Sequence, residues 1–454
     1  DTFTYKANDG TVDSNTATGT ITITDTNQAP IASDITKTIL EGSGNLTLNL
    51  QGSDVDNDSI TFSIVTSPQH GSLNAVGSGE YIYALSDNDF IGTDTFTYKV
   101  NDGSLNSNAA TVTINVINPF KMFSGSFNDI IHSSDDNFVA ISQGKFTKMD
   151  SNLDTIWSLS FPTSGGDSVC RLIEASDGSF VGACSDRIVK VSSSGSLIWN
   201  VQTQGKQSGV VETSDGGFVA SGRIDSQGLT SAKVDNSGNI IWNLLYSFTN
   251  DGGVGPRSQA SIIQSSNNTF IIGQSGRLLK ISGSDGSSIW YKNRSSSNID
   301  YDIVEMVKIG SNGDFLTYIT DSSFPGALHR YNTDGELVYA SSGLDFYNIS
   351  FGDYAQNGDN FYAAGRNSKP AGNGADSGFQ FVKIDPSDGS IIWTKEIACY
   401  GYVPQPGAFW KNNAIVEDAS GNINFFFNPG NNLGSGDTNS AFFQIDPDGN
   451  VLIP

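Results

Sequence analysis

The sequence predicts an all-β protein in which Ig-like β-sandwich repeats are followed by a seven-bladed β-propeller. Two internal repeats and the composition lead to this prediction. In one, a segment at the N-terminus recurs 93 residues later in the sequence. In the other, a short unit occurs seven times between Phe120 and the C-terminus. The 454 residues include 50 glycines and only 16% charged residues, which suits strands joined by tight turns. This length allows two or three domains, each with its own core.

Each unit of the longer repeat series has an apolar anchor, a strand with one cation, a turn, and a strand with an aromatic residue. The aromatic residue follows the cation by nine or ten residues in the first six units. Strand-rich repeats of about 40 to 60 residues without helical periodicity indicate propeller blades of four strands. We therefore assign residues 119–454 to a seven-bladed propeller. The anchors are Phe138, Phe180, Phe218, Phe270, Phe315, Phe361 and Ile423, the cations Lys148, Lys190, Lys233, Lys280, Arg330 and Lys383 (Gln444 in the last unit), and the aromatic residues Trp157, Trp199, Trp242, Trp290, Tyr339 and Trp393.

The shorter repeat series defines the sandwich part of the chain. The segment Asp1-Thr2-Phe3-Thr4-Tyr5-Lys6 returns as Asp94-Thr95-Phe96-Thr97-Tyr98-Lys99. The 93 residues between the starts of the two copies are a normal length for a sandwich domain of about seven strands. We assign residues 29–118 to a complete sandwich and residues 1–28 to the last two strands of a preceding copy. Further sandwich repeats upstream are therefore expected.

The ends of the propeller segment both have the pattern of strands. Phe120 to Ser126 precedes the first unit, and Val451 to Pro454 ends the chain. We expect one of them to complete the blade of the other, as a clasp with two ends. Cys170 and Cys184 lie on either side of the Asp177-Gly178 turn and should face each other on paired strands. They form either one disulfide or two adjacent buried thiols.

The propeller units differ most in their loops. Long loops in the sixth and seventh units should lie on one face, because the same inter-strand position recurs in every blade. An insertion between these units carries four aromatic side chains that could stack on a sugar ring or a partner protein. The alternative is an aromatic plug that closes the last blade. The loops are 367–378 and 428–440, and the aromatic residues are Tyr400, Tyr402, Phe409 and Trp410.

The net charge of −24 argues against a nucleic-acid partner, because phosphates would be repelled. No stretch approaches the roughly 20 apolar residues needed to cross a membrane, so direct membrane insertion is not expected. Of the 48 acidic residues only eight are glutamate. Aspartate favours turns and is also a compact calcium ligand, so an extracellular, calcium-rich setting fits the composition best.

Residues 29–118 contain a set of motifs that together are fairly specific. They are Asp25-Thr26-Asn27 with Ala29-Pro30 at the linker, Glu41, Asp54-Val55-Asp56-Asn57-Asp58, Pro68-Gln69-His70-Gly71-Ser72-Leu73 and the segment from Phe90 to Tyr98. With these motifs the segment resembles the bacterial cadherin-like repeats that are strung along large surface adhesins.

In the cadherin-like family calcium sits between consecutive domains. The resemblance implies that linker ligands meet ligands of the next domain, and calcium prefers six to eight oxygens. Gln28 departs from the pattern, since a further acidic ligand would be expected there. The plain alternative for 54–58 is a solvated turn. The implied calcium ligands are Asp25, Asn27, Asp54, Asp56 and Asp102 with Asp58 as a spare, and a second site facing the propeller would use Glu41, Asp87 and Asp89.

The turns before the aromatic strands, such as Asp235-Asn236-Ser237-Gly238-Asn239, resemble two families of propellers. One is the quinoprotein-like propeller, whose tryptophans lock adjacent blades together, and the other is the Asp-box turn of sialidase-type propellers. The catalytic residues of neither family are recognisable. We therefore expect the tryptophans to pack blade on blade, and each lysine to lie over the neighbouring tryptophan ring or to pair with a turn carboxylate.

These observations favour a non-catalytic extracellular adhesin or surface-fibre component of a bacterium. Calcium would stiffen the sandwich stalk, and the propeller would bind a cell-surface glycan, a protein, or copies of itself. The alternative is a propeller enzyme, a glycosidase or lyase, that acts on a polysaccharide. A tight group of arginine, tyrosine and glutamate in the central channel would favour the enzyme.

Overall fold

The structure is a computed structural model that describes residues 1–23, 26–40, 45–87, 90–117, 121–124, 127–142, 144–163, 170–224, 227–247, 260–266, 268–274, 276–293, 302–309, 312–321, 324–340, 347–351, 361–367, 378–398, 413–427 and 439–452. The chain divides into two compact units, Asp1–Ile117 and Asn118–Pro454. Every regular element in the described ranges is a β-strand, as predicted. No helix capable of crossing a membrane occurs in these ranges.

The first unit contains a β-hairpin and a β-sandwich. Its strands are β1 (Thr2–Tyr5), β2 (Ala17–Thr20), β3 (Ile31–Ala32), β4 (Ile35–Leu40), β5 (Leu46–Asn49), β6 (Gly52–Ser53), β7 (Thr61–Thr66), β8 (Gly71–Ala75), β9 (Glu80–Leu85), β10 (Gly92–Asn101) and β11 (Ala110–Ile117). The sheets have the orders β4-β11-β10-β7, β5-β9-β8 and β3-β6, and β1 pairs with β2. β4 runs parallel to β11. Alternate side chains of β10 and β11 enter the core between the sheets.

The repeated motif of this unit is held by buried polar groups at both of its ends. Asp94 is 2% exposed and accepts hydrogen bonds from the backbone amides of Gln69 and His70 at 2.9 and 3.0 Å. The Tyr83 hydroxyl donates to the same carboxylate at 2.8 Å. Tyr98 is fully buried, and its hydroxyl donates to a backbone carbonyl at 2.5 Å. In this copy, both ends of the motif therefore have a structural role.

The second unit is the propeller. Its strands are β12 (Lys121–Ser124), β13 (Asp129–His132), β14 (Phe138–Ser142), β15 (Lys145–Met149), β16 (Thr155–Ser160), β17 (Cys170–Glu174), β18 (Phe180–Val191), β19 (Leu197–Glu212), β20 (Phe218–Ile224), β21 (Gly228–Val234), β22 (Ile240–Tyr246), β23 (Ser261–Ser266), β24 (Thr269–Gln274), β25 (Arg277–Ser282), β26 (Ser288–Asn293), β27 (Asp302–Ile309), β28 (Asp314–Asp321), β29 (Phe324–Tyr331), β30 (Leu337–Ala340), β31 (Tyr347–Phe351), β32 (Phe361–Asn367), β33 (Gly378–Ile384), β34 (Ile391–Ala398), β35 (Asn413–Glu417), β36 (Ile423–Phe427), β37 (Asn439–Ile445) and β38 (Val451–Leu452).

These strands form the seven predicted blades. Blade 1 is β13–β16, blade 4 is β23–β26, blade 5 is β27–β30 and blade 6 is β31–β34. Blades 2 and 3 share one six-stranded sheet, β17–β22, because β19 runs from the outer position of blade 2 into the inner position of blade 3. β18 spans the second and third positions of blade 2, and its register with β19 breaks at Ser185, whose φ is 56°.

Blade 7 contains β35, β36 and β37, and both ends of the propeller segment complete it. β38 pairs with β37 at Ile445 and Gln444, and β12 pairs with the same strand from Phe442 to Asn439. Both pairings are antiparallel, so β38 and β12 lie end to end along one side of β37. The predicted clasp with two ends is present in the described residues.

Each outer strand of blades 1 to 6 contains a register shift just before its aromatic residue. The shift leaves one extra residue between two registered pairs, which is a β-bulge. The extra residue is always a β-branched aliphatic side chain that is 50–52% exposed. Bulges at sheet edges oppose pairing with another edge. The pairings of blade 7 with β38 and β12 have no such shift. The extra residues are Ile156, Ile198, Ile241, Ile289, Val338 and Ile392.

Candidate functional site

Two of the acidic residues predicted to bind calcium contact the linker that precedes the sandwich. Asn27 Nδ2 donates to Asp102 Oδ2 at 2.9 Å, and the Gln28 amide donates to Asp56 Oδ2 at 2.6 Å. Asp102 lies in the turn between β10 and β11, and Asp56 follows β6. The linker is therefore attached to two separate acidic turns of the sandwich.

Asp54 organises the second of these turns. Its Oδ1 accepts hydrogen bonds from the amides of Asp56 at 2.9 Å and Asp58 at 3.3 Å. Its Oδ2 is shielded from solvent and has no hydrogen-bond partner in the structure. A shielded carboxylate oxygen without a partner is unfavourable, and a cation would satisfy it. The shielded oxygen of Asp54 is therefore suited to be a calcium ligand.

The carboxylate of Asp102 is held in its charged form. Hydrogen bonds from the Leu105 amide, the Asn27 side chain and the Ser104 amide lower its pKa below the usual value. A carboxylate with a low pKa remains available to a cation at any physiological pH. The site therefore needs no proton release from Asp102 to accept calcium.

The rest of the predicted set is only partly described. Asp25, Glu41 and Asp89 lie outside the described residues, and of the second set only Asp87 is inside them. Within the described ranges, no three His, Cys, Asp or Glu side chains are arranged to hold a metal. The predicted aromatic ligand-binding residues Tyr400, Tyr402, Phe409 and Trp410 also lie outside the described residues, as do most of the long loops.

The recurring cation of the propeller is buried where one blade meets the next. In blade 2, Lys190 is 2% exposed and its Nζ lies 2.7 Å from Asp177 Oδ2. The same ammonium donates to Asn236 Oδ1 of blade 3 and lies 5.1 Å from the ring centroid of Phe218, the anchor of blade 3. Its charge is thus satisfied from both blades. The equivalent contacts are Lys148 with Asp135, Lys233 with Asp215, Lys280 with the Thr333 carbonyl, and Arg330 with Asp314 and the carbonyls of Pro386 and Ser387.

The recurring aromatic residue forms the second half of this contact. Trp199 Nε1 donates to the Asn236 carbonyl at 2.9 Å, and its ring lies over Gly238 of the same turn. A Cβ at Gly238 would lie 2.8 Å from the ring, so only glycine fits there. The predicted packing of blade on blade is confirmed. The equivalent contacts are Trp157 with Ser193 and Gly195, Trp242 with Gly283 and Gly286, Trp290 with Gly335, Tyr339 with Pro386, and Trp393 with Pro447.

We call one cation, its turn carboxylate and the docked aromatic residue a blade latch. Of the two sequence predictions for lysine, pairing with a turn carboxylate is observed in blades 1, 2 and 3. Burial raises the pKa of Asp135 and Asp177, but hydrogen bonds from the lysine and a nearby hydroxyl outweigh it and lower the pKa to about 2. At Asp215 the hydrogen bond from Lys233 is the largest effect, and the pKa is again about 2.

The latches should make the propeller sensitive to acid. A carboxyl whose folded pKa lies below its unfolded value adds stability above the unfolded value, about 3.9. That stability is lost as pH falls towards about 2. We expect the melting temperature of the propeller to drop steeply between pH 4 and pH 2, as followed by tryptophan fluorescence. In the variant with Lys148, Lys190 and Lys233 all changed to methionine the drop should be shallower, and an unchanged drop would contradict the assignment.

Among the described residues, the contact between blade 7 and blade 1 has no latch. Gln444 replaces the cation, and it donates to Asp418 Oδ2 at 2.8 Å and Asn424 Oδ1 at 2.9 Å within its own blade. β38 contains only valine and leucine, so it brings no aromatic residue to blade 1. An apolar cluster closes this boundary instead. Its members are Phe127, Ile130, Phe138, Ala140, Met149, Leu153, Val416, Phe426 and Phe442.

Leu153 is the residue that sequence reasoning missed. It occupies the turn position that is glycine in blades 2 to 7, it has a φ of 63°, and it is 6% exposed. Leucine rarely adopts this left-handed conformation. Because the outer strand β38 carries no aromatic ring to this turn, the leucine side chain packs into the apolar cluster of the boundary instead. The sequence does contain a signal for this residue. The turn of the first unit lacks the glycine found in the other six, and the seventh unit, which closes the ring against it, lacks the aromatic residue.

Two further buried groups lie on the first two strands of blade 2 and on the inner strand of blade 1. Cys170 and Cys184 are directly paired across β17 and β18, with Cα atoms 4.2 Å apart, and form a disulfide. Of the two sequence alternatives, the disulfide is the one observed. Asp129 Oδ2 accepts a hydrogen bond from the Leu172 amide of blade 2 at 2.8 Å. Burial raises the pKa of Asp129, and the Arg171 guanidinium 3.3 Å away opposes this.

Two family models and several solved structures are similar to parts of this chain. Residues 27–115 match the family described as "Bacterial Ig domain", and residues 148–321 match the family described as "Outer membrane protein assembly factor BamB". The structure of streptogramin B lyase covers 71% of this chain and 97% of its own at 15% identity, with a TM-score of 0.45. BamB from Moraxella catarrhalis covers 72% and 96% at 16% identity, with a TM-score of 0.43.

A curated relative is also found. Integrin beta-like protein A of Dictyostelium discoideum is 36% identical over 132 residues, which is 24% of this chain and 7% of that protein. The chain therefore spans only a small part of that relative's length. Taken with the sheet topology, the family matches identify a chain in which a segment similar to bacterial Ig domains precedes a propeller similar to BamB.

Proposed function

We propose that this chain is a non-catalytic module of an extracellular or cell-surface protein. In this proposal calcium stiffens the junction between sandwich repeats, and the propeller binds a cell-surface glycan, a protein, or copies of itself. The similarity to bacterial Ig domains and to an outer membrane assembly factor supports a surface- or assembly-related module. The disulfide between Cys170 and Cys184 fits an oxidising compartment outside the cytoplasm.

The observation that carries the calcium part is the attachment of the linker to two acidic turns. Asn27 and Gln28 bring Asp102 and Asp56 to the same short segment, and Asp54 adds a shielded oxygen with no partner. The side-chain oxygens of Asn27, Asp54, Asp56 and Asp102 would be the ligands of the cation. Gln28 would hold Asp56 in place through its backbone amide. The cation would supply charge neutralisation, which lets the linker and the turns stay together. A junction held in this way resists bending.

The contacts of the charged and aromatic side chains in the propeller support a binding role rather than a catalytic one. In blades 1 to 3 the recurring lysine is paired with a carboxylate, and the tryptophan is bonded to the next blade. Residues used in this way are not available to a substrate. Binding would then depend on the loops at the opposite end of the blades, as is usual for rigid scaffolds.

Calcium should raise the melting temperature of the sandwich. A ligand that binds only the folded state at 100 times its Kd adds about 2.7 kcal/mol, or roughly 10 °C for a domain of this size. We expect this shift between millimolar calcium and excess EGTA in calorimetric scans. The double variant Asp54→Asn with Asp56→Asn should lose it. The control Asp334→Asn removes an exposed turn carboxylate of the propeller and should keep it.

Two results would contradict the proposal. If the wild-type chain shows neither a shift nor heat on calcium titration, the acidic turns are only turns. If the purified chain releases reducing ends or unsaturated products from polysaccharides, the propeller is an enzyme. The two measurements test separate parts of the proposal.

A further inference from the structure

The outer strand of blade 7 differs from the other six in how it is built. It consists of two separate pieces, with two registered pairs from β38 and four from β12. The outer strands of blades 1 to 6 are each continuous with the strand before them through a short turn. β12 instead joins β37 from more than 300 residues away in the sequence. Its place on β37 is therefore not set by a hairpin turn from the strand before it.

Among the described residues, the boundary next to this strand has neither the cation nor the docked aromatic residue of the other blades. In blades 1, 2 and 3 the cation contacts the next blade, and the tryptophan donates a hydrogen bond to a backbone carbonyl of that blade. At the boundary from blade 7 to blade 1, Gln444 bonds within its own blade and Leu153 replaces the docking glycine. Local opening starts where few specific contacts cross a boundary. This boundary is thus the expected point of opening.

The edge that opening would expose is suited to another strand. The pairing of β37 with β12 contains no bulge, whereas all six other outer pairings do. A straight edge with free amide and carbonyl groups accepts an added strand. The segment that fits the β37 edge best is β12, which already pairs with it.

We propose that β12 is an exchangeable strand and that the β37 edge from Asn439 to Phe442 is an acceptor site for β12 of a second copy of this chain. The exchange reproduces the four registered pairs of the closed propeller, so it costs no pairing. It would link copies through their propellers. The inference does not depend on calcium binding at the sandwich.

The test uses the full chain in a Cys399→Ser background and a fluorescent peptide with the sequence of residues 119–127. One variant carries Met122→Cys with Ala441→Cys, which are registered partners across β12 and β37. The control carries Thr147→Cys with Ser158→Cys, registered partners across the outer pair of blade 1. Both are oxidised before the measurement. A peptide of the same composition in scrambled order tests for non-specific binding.

We expect the peptide to bind the unstapled chain and the blade 1 control, and the staple across β12 and β37 to weaken binding at least tenfold. Hydrogen exchange should show the amides of 439–442 opening before those of β20 in blade 3, except in the stapled variant. Equal binding to the stapled variant, or binding of the scrambled peptide, would overturn the proposal. So would amides of 439–442 that exchange only with global unfolding.

Discussion

Gly195→Leu is expected to be among the most destabilising single substitutions in the propeller. A Cβ at this position would lie 2.7 Å from the ring of Trp157, and the φ of Gly195 is 86°. Overpacking costs about 1–3 kcal/mol, and a left-handed non-glycine residue costs about 1–2 kcal/mol more. The expected loss in the free energy of unfolding is thus about 2–5 kcal/mol. Urea unfolding followed by tryptophan fluorescence reports on the propeller, since all six tryptophans lie in it.

Leu153→Gly is the matched control at the equivalent turn of blade 1. Removing the buried leucine should cost about 2–5 kcal/mol, and relief of the left-handed conformation returns about 1 kcal/mol. The substitution that restores the glycine of the repeat should therefore destabilise the protein. A more stable Leu153→Gly variant would contradict the assignment of Leu153 as the filler of the latch-free boundary.

Asp177→Ala should also have a large effect, because it leaves the ammonium of Lys190 buried without its carboxylate. The Lys190 side chain is 3% exposed, whereas that of Asp177 is 49% exposed. Breaking a buried ion pair costs about 3–5 kcal/mol, and we expect about 2–4 kcal/mol here because half of the Asp177 side chain is in water. The measurement is again urea unfolding.

The double variant distinguishes a lost ion pair from a damaged turn. Lys190→Met alone should be milder than Asp177→Ala, because Asp177 remains solvated. Adding Lys190→Met to Asp177→Ala should then recover part of the stability. If the two losses simply add, the ammonium does not depend on Asp177. Asp177→Asn keeps the oxygen that accepts from Ser179 and isolates the effect of the charge.

Strand periodicity and repetition were enough to predict the blades, because an apolar anchor returns in all seven units and an aromatic residue in the first six. The partner of the cation was predicted only as one of two alternatives. In the structure it precedes the cation by 13 residues for Lys148 and Lys190 but by 18 for Lys233. This separation changes with the length of the loop between the second and third strands. Spacing alone therefore could not identify the pair.

The candidate calcium site shows the same limit. The resemblance named Asn27, Asp56 and Asp102, but not Gln28, whose backbone amide contacts Asp56. A backbone donor leaves no mark in the sequence. Asn27 and Asp102 are 75 residues apart, so only the folded chain brings them together. The bulges are likewise invisible to a pattern of apolar residues, because they depend on how the backbone pairs.

The composite blade has a consequence for engineering the molecule. Leu452 and Lys121 pair with Gln444 and Phe442, so only Phe443 separates their partners along β37. A short linker from Leu452 to Lys121 would make this outer strand continuous. A circular permutant with that connection and new termini between two other blades would carry the sandwich on a different blade. In such a permutant the sandwich would no longer be attached to the blade that is built from both ends of the propeller segment.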